Sequence, residues 1–268
     1  MRQIEILDTT LRDGEQTSGV SFSRTEKLAI VRLLIEDLNV PRIEIASARV
    51  SEGEFLTAKH ICEWAKRTGN INKIEILGFI DNGVSIDWIK RVGAKTINLL
   101  AKGSERHCRL QLCKEPAEHF AEIEANVIEA DKHGLEVNLY LEDWSNGIIK
   151  SPAYVYEMID RLLHLPIKRF MLPDTLGVLN PNQVYEYCKR MVTRYPDLHF
   201  DFHAHNDYDL ATSNSFAAGL VGIKGIHCTI NGLGERAGNA PLSSVVTVIH
   251  DMLRQETGIN EKKINKVS

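Results

Sequence analysis

Short β-branched runs alternate with longer amphipathic runs along the whole chain. Eight runs read as strands: Ile4–Asp8, Arg42–Ser47, Lys73–Phe79, Thr96–Ala101, Glu136–Glu142, Arg169–Asp174, His199–His203 and Gly225–Asn231. A helical pattern follows each. It is clearest over Arg24–Leu38, Glu52–Arg67, Ala117–His133, Ala153–Leu163, Asn182–Tyr195 and Leu242–Arg254. Punctuation agrees with the pattern. Ser23 precedes the first helix with Glu26 three residues on, a capping-box arrangement. Pro181 and Pro241 stand where a first helical turn tolerates proline, and Gly69 and Gly134 where a left-handed stop is expected. Strand then helix, repeated in units of about 30 residues, predicts an α/β fold with parallel strands inside and helices outside, closed as a single-domain (β/α)8 TIM barrel. An open doubly wound sheet is the alternative, weakened because no GxGxxG follows the first strand. The barrel is expected over residues 1–255. A polar tail is expected over residues 256–268, where a further C-terminal region would begin.

Bulk properties narrow the function classes. A length of 268 residues suits one barrel, and 43% hydrophobic with 25% charged residues is the balance of a soluble globular chain. The net charge of −4 gives no basic field, so no nucleic-acid partner is expected. The apolar runs fall far short of the roughly 20 residues that span a bilayer, and the N-terminus has no signal-like apolar stretch. Five scattered cysteines without a CxxC pair argue against both a disulfide framework and a zinc knuckle. No membrane partner and a cytoplasmic location are the expectations.

Chemistry gathers where the strands end. A barrel of parallel strands carries its reactive groups at their carboxyl ends. The first strand runs into Arg12-Asp13, the fifth ends at Glu142, the sixth leads to Thr175, and the seventh into His203-Ala204-His205. Two residues apart on a strand face one way, so both imidazoles can meet one metal ion. Asp13 supplies a carboxylate beside them. A carboxylate and an amide oxygen would make an oxygen-rich shell that favours Mg2+ or Mn2+ over a closed structural Zn2+. Gly232, Gly234 and Gly238 mark a loop after the last strand. It reads either as a tight turn carrying Asn239 to the metal or as a phosphate cradle.

These segments resemble a known family. Leu7 to Gln16 (LDTTLRDGEQ), His203 to Asp207 (HAHND) and Gly232 to Asn239 (GLGERAGN) are similar to the motifs of the α-isopropylmalate, homocitrate and citramalate synthases. The wider group is the barrel metallolyases with an Asp-Arg-Glu signature, and the likeness runs from Ile4 to about Asp251. It implies acyl transfer: acetyl-CoA condenses with a 2-oxo acid, and the thioester is then hydrolysed. It implies a divalent metal (Mn2+, Mg2+ or Zn2+) held by Asp13, His203, His205 and Asn239, acting as a Lewis acid on the ketone. By the same likeness Arg12 stabilises the alkoxide, Glu142 belongs to the base that takes the acetyl proton, and Thr175 holds the substrate carboxylate.

The oxo acid is read from the side chains beside the ketone. Leu77, Leu100 and Tyr140 are the candidates. Many family members carry serine two residues before the glutamate. Tyr140 is much larger and favours a methyl over an isopropyl group. The run from Tyr140 to Gly147 (YLEDWSNG) is similar to one citramalate synthase branch, which uses pyruvate on a route to isoleucine. The expected product is therefore (R)-citramalate. A 2-isopropylmalate synthase using 2-oxoisovalerate, on the route to leucine, is the near alternative. A homocitrate synthase fits less well, because a second carboxylate would want a cation among two leucines and a tyrosine.

Family members continue past the barrel into helical subdomains, which carry a partner histidine for the base, and into a regulatory domain. A homodimer is expected of the full-length form. The chain alone is expected to bind metal and oxo acid but to condense slowly. Other classes fit less well. A retro-aldol lyase would place a cysteine in the loop Gly232–Asn239, which has none. A biotin-linked carboxyl transferase needs a modified lysine on a central strand, and no lysine ends a strand in the matching place. A non-catalytic metal-binding barrel has no need of Arg12 and Glu142.

Overall fold

Alternation within the strands decides what the barrel keeps inside. On the second strand Ile43 and Ile45 join the apolar layer, while Arg42 and Glu44 turn to polar partners on other strands. The third strand repeats the rule: Ile74 and Ile76 pack in the core, and Glu75 bonds Arg42. The computed structural model describes residues 3–266. Eight parallel strands close in chain order: β1 (Glu5–Asp8), β2 (Arg42–Ser47), β3 (Ile74–Phe79), β4 (Thr96–Lys102), β5 (Glu136–Glu142), β6 (Ile167–Asp174), β7 (Phe200–Ala204) and β8 (Gly225–Cys228). β8 pairs back onto β1, from Glu5 opposite Gly225 to Asp8 opposite Cys228.

Helices form the outer ring. They are α1 (Arg24–Arg32), α2 (Glu52–Arg67), α3 (Val84–Val92), α4 (Glu105–Leu110), α5 (Pro116–Lys132), α6 (Trp144–Lys150), α7 (Pro152–Leu162), α8 (Pro181–Arg194), α9 (Ala211–Val221) and α10 (Leu242–Leu253). The capping box forms as expected, with Ser23 Oγ accepting from the Glu26 N–H and Glu26 Oε2 from the Ser23 N–H. Pro181 opens α8, whereas Pro241 is the cap before α10. Gly69 and Gly134 take the left-handed stops.

Four expectations shift. The first helix changes to a wider π turn over Leu33–Asp37. The last strand stops at Cys228 rather than Asn231. The Thr229 N–H turns to Ala240 O, the Ile230 N–H to Thr10 Oγ1, and Asn231 takes a positive φ. β4 runs one residue further than its pattern, to Lys102. The stretch after Gln255 is not a free polar tail. The Ile4 N–H donates to Glu256 O, the Asn260 N–H donates to Leu38 O, and Ile259 and Ile264 are buried in the core. Burial of these two isoleucines and the backbone hydrogen bonds together dock the segment. Among the described residues no helix is long and apolar enough to cross a membrane.

Candidate active site

The turn after β1 folds tightly on one acceptor. The N–H groups of Arg12, Asp13 and Gly14 all point to Thr9 O. This places Asp13 over the barrel mouth, next to the end of β7. His203 Nε2 lies 3.1 Å from Asp13 Oδ2, and the Nε2 atoms of His203 and His205 approach to 3.2 Å. All three side chains are buried. One ligand atom from each lies within 4.8 Å of the others.

The electrostatics suit a cation. Burial pushes His203 down, and pushes His205 down to about 4, so both imidazoles are neutral bases at pH 7. Burial alone would raise Asp13, yet the Arg12 guanidinium beside it holds it well below the usual carboxylate range. Neither Asp13 oxygen finds a hydrogen bond of proper geometry, and Asn239 Oδ1 is also buried without one. Orphaned buried acceptors of this kind are costly unless a cation or water meets them. A buried carboxylate with two neutral imidazoles fits a divalent metal site.

The glycine loop is tied down at both ends: the Asn239 N–H donates to Gly232 O, the Gly238 N–H to Glu235 O, and the Gly234 N–H to Thr17 Oγ1. The loop sets Asn239, whose Nδ2 donates to Leu233 O and leaves Oδ1 unused, as the tight-turn reading expects. A Cβ on Gly234 would stand 2.3 Å from Asn239 Nδ2, so any side chain there would have to displace the asparagine.

A cavity of about 280 Å3 opens beside the three ligand candidates. Arg12, Leu77, Leu100, Tyr140, Glu142 and Thr175 all line it, together with Asp13, His203 and His205. Asn239 is the one expected residue not among its walls. Leu77, Tyr140, Leu7 and Met171 form a small apolar cluster of their own, with Leu100 packed against it. Tyr140 is 3% exposed and its hydroxyl meets His227, so the ring stays in the wall.

Several residues escaped the sequence reading. Gln16, Ser47, Phe79, Pro173 and Glu235 also line the cavity. Glu44 holds Arg12, with its Oε2 2.5 Å from Arg12 Nε, and takes Asn98 Nδ2 on its other oxygen at 2.7 Å. The inward period of β2 carries that signal. Lys102 pairs with Glu142 Oε2 across neighbouring strands and lines an adjoining cavity. Thr175 Oγ1 accepts the Asp143 N–H at 2.9 Å, which leaves its hydroxyl proton free to donate.

A family model described as HMGL-like matches residues 3–268. The chain is 34% identical to a 2-isopropylmalate synthase of Saccharolobus solfataricus, covering 100% of this chain and 67% of that protein. It is also 34% identical to an (R)-citramalate synthase of Methanocaldococcus jannaschii, covering 99% of this chain and 52% of that one. It thus spans between about half and two thirds of these relatives. A solved HMG-CoA lyase from Bacillus subtilis superposes with a TM-score of 0.83 at 21% identity, covering 100% of this chain and 92% of that one. At that identity the likeness speaks for the barrel alone.

Proposed function

Starting from a chain that belongs to the HMGL-like family, we propose that this barrel condenses acetyl-CoA with pyruvate to give (R)-citramalate. The observation that carries the choice of acid is Tyr140. Its ring forms the cavity wall with Leu77 and Leu100 and stands edge-on to His203, with centroids 6.3 Å apart. A methyl group fits beside a wall so placed, and a branched group meets it.

The roles follow from the contacts. A divalent metal held by Asp13, His203, His205 and Asn239 would polarise the ketone as a Lewis acid. Arg12 is anchored through Nε and lines the cavity, so its guanidinium is set in advance for the charge that grows on the oxo oxygen. Thr175 donates its free hydroxyl proton to the acid's carboxylate. Glu142 lines the same cavity and takes the proton from the acetyl methyl group. The methyl carbon then bonds to the ketone carbon, the oxo oxygen gains a proton, and water cleaves the thioester to free CoA. Lys102 fixes one oxygen of Glu142 at the rim.

Identity does not separate the two acids, since relatives of both names match equally well. The deciding test compares CoA release from pyruvate and 2-oxoisovalerate with Mn2+ present, for the parent and for Tyr140→Ser. The expected result is a pyruvate preference that shrinks in the variant. A parent that prefers 2-oxoisovalerate makes the protein an isopropylmalate-type synthase instead.

A further inference from the structure

His227 lies beneath the pocket floor, fully enclosed. Its Nε2 is 3.2 Å from Asp201 Oδ2. That oxygen also receives Arg42 Nη1 at 2.6 Å, while Oδ1 faces His199 Nε2 at 3.0 Å. A carboxylate ringed by donors only accepts, so the ring proton of His227 sits on Nε2 and Nδ1 presents a lone pair. The Tyr140 hydroxyl stands 3.1 Å from that Nδ1. The phenol therefore donates into the barrel core, away from the pocket. Space for this row is reserved by Gly225, where a Cβ would lie 2.1 Å from Asp201 Oδ1. The rings of His227 and His203 hold the phenol edge-on, with centroids at 5.5 and 6.3 Å.

We propose that His227, backed by Asp201, is a positioning residue that sets substrate size by pinning Tyr140. The inference rests on the pocket reading above and adds the device that enforces it. A tyrosine free to swing would yield to a branched acid, and a tethered one does not. The tether also spends the only phenolic proton. Tyr140 then offers the pocket no donor, and the oxo acid's oxygens are left to Arg12 and Thr175.

The test uses the full chain loaded with Mn2+, titrated calorimetrically with pyruvate and with 2-oxoisovalerate. His227→Leu and Tyr140→Phe are each expected to cut the pyruvate preference about tenfold, near the upper worth of one hydrogen bond. The double variant should lose no more than either single change, because the two groups act as one unit. His227→Gln keeps both a donor for Asp201 and an acceptor for Tyr140, and should restore most of the preference. A purely structural role would lower stability without moving this ratio. Nitrogen NMR of 15N-histidine-labelled protein reads the tether without substrate, and an unprotonated Nδ1 on His227 is expected. Unchanged preference in Tyr140→Phe, or a protonated Nδ1, overturns the proposal even where His227→Leu fails to fold. A parent that binds both acids equally sinks the pyruvate reading and with it the size-setting role, while the nitrogen shifts still decide whether Tyr140 is tethered.

Discussion

Arg12 Nε lies 2.5 Å from Glu44 Oε2, so the guanidinium at the mouth is gripped from inside the barrel. Glu44 is itself fixed by Asn98. The arginine thus reaches the substrate with little freedom left to lose. Glu44→Gln should lower kcat for CoA release at least about tenfold, and Arg12→Lys about 100-fold, since lysine lacks the planar fork. KM for the oxo acid should move less than kcat. A normal kcat in Glu44→Gln would show that the grip is irrelevant to turnover.

Metal should stabilise the fold it completes. Mn2+ at about 100 times its Kd adds about 2.7 kcal/mol by mass action. Thermal unfolding is expected to shift upward by about 5 °C or more, and chelation with EDTA to reverse it. In Asp13→Asn and His205→Ala the shift should vanish. The loss of affinity should exceed the roughly 10–100-fold typical of outer-shell changes. A full shift in both variants would place the ion elsewhere.

Gly234 offers a test that replaces no ligand. A methyl at this position meets Asn239 Nδ2 at 2.3 Å, so Gly234→Ala must push the asparagine or its loop aside. A cost of about 1–3 kcal/mol is expected from overpacking. Mn2+ affinity should fall with it, measured by calorimetry beside the thermal midpoint. Wild-type affinity in a destabilised variant would mean that Asn239 Oδ1 is not a ligand.

His119 sets a pH dependence away from the metal group. Burial pushes its imidazole down from 6.5 to about 4, while Nε2 accepts the Lys102 N–H at 3.1 Å. The unfolded chain binds a proton on this ring between those values and the folded chain does not. Its contribution is therefore full above pH 6.5 and is lost as pH falls toward about 4. Urea midpoints measured across that window should drop with acid. His119→Gln keeps an acceptor without the titration, and its profile should be shallower. Identical profiles would assign the acid loss to other groups.

The barrel is legible in the sequence because its outward strand residues and its helix faces obey two different periods. Strand and helix ends fall close to their predicted places wherever a proline, a cap or a glycine marks them. The end of β8 is misread because Thr229 and Ile230 look like strand residues. Their N–H groups are claimed by Ala240 and Thr10, partners distant in the chain. The rim residues are legible for a similar reason: Glu142 and His203 stand at strand ends, and Asp13 follows β1 by one tight turn. Glu44, Asp201 and His227 are harder. Their inward period is plain, but their partners lie on other strands, and only the closed register shows who meets whom.

Arg42 on β2 bonds Asp201 on β7, and Arg169 on β6 bonds Glu5 on β1. Each ion pair therefore joins the first half of the chain to the second. In a four-strand half made alone Arg42 would keep Glu75, but Asp201 would lose its arginine and the buried Arg169 would lose Glu5, beside strand edges left open. Unlike a repeat protein that grows unit by unit, this barrel is therefore expected to have no stable halfway point. Its two halves are expected to stay unfolded when expressed apart and to acquire helical circular dichroism only when mixed.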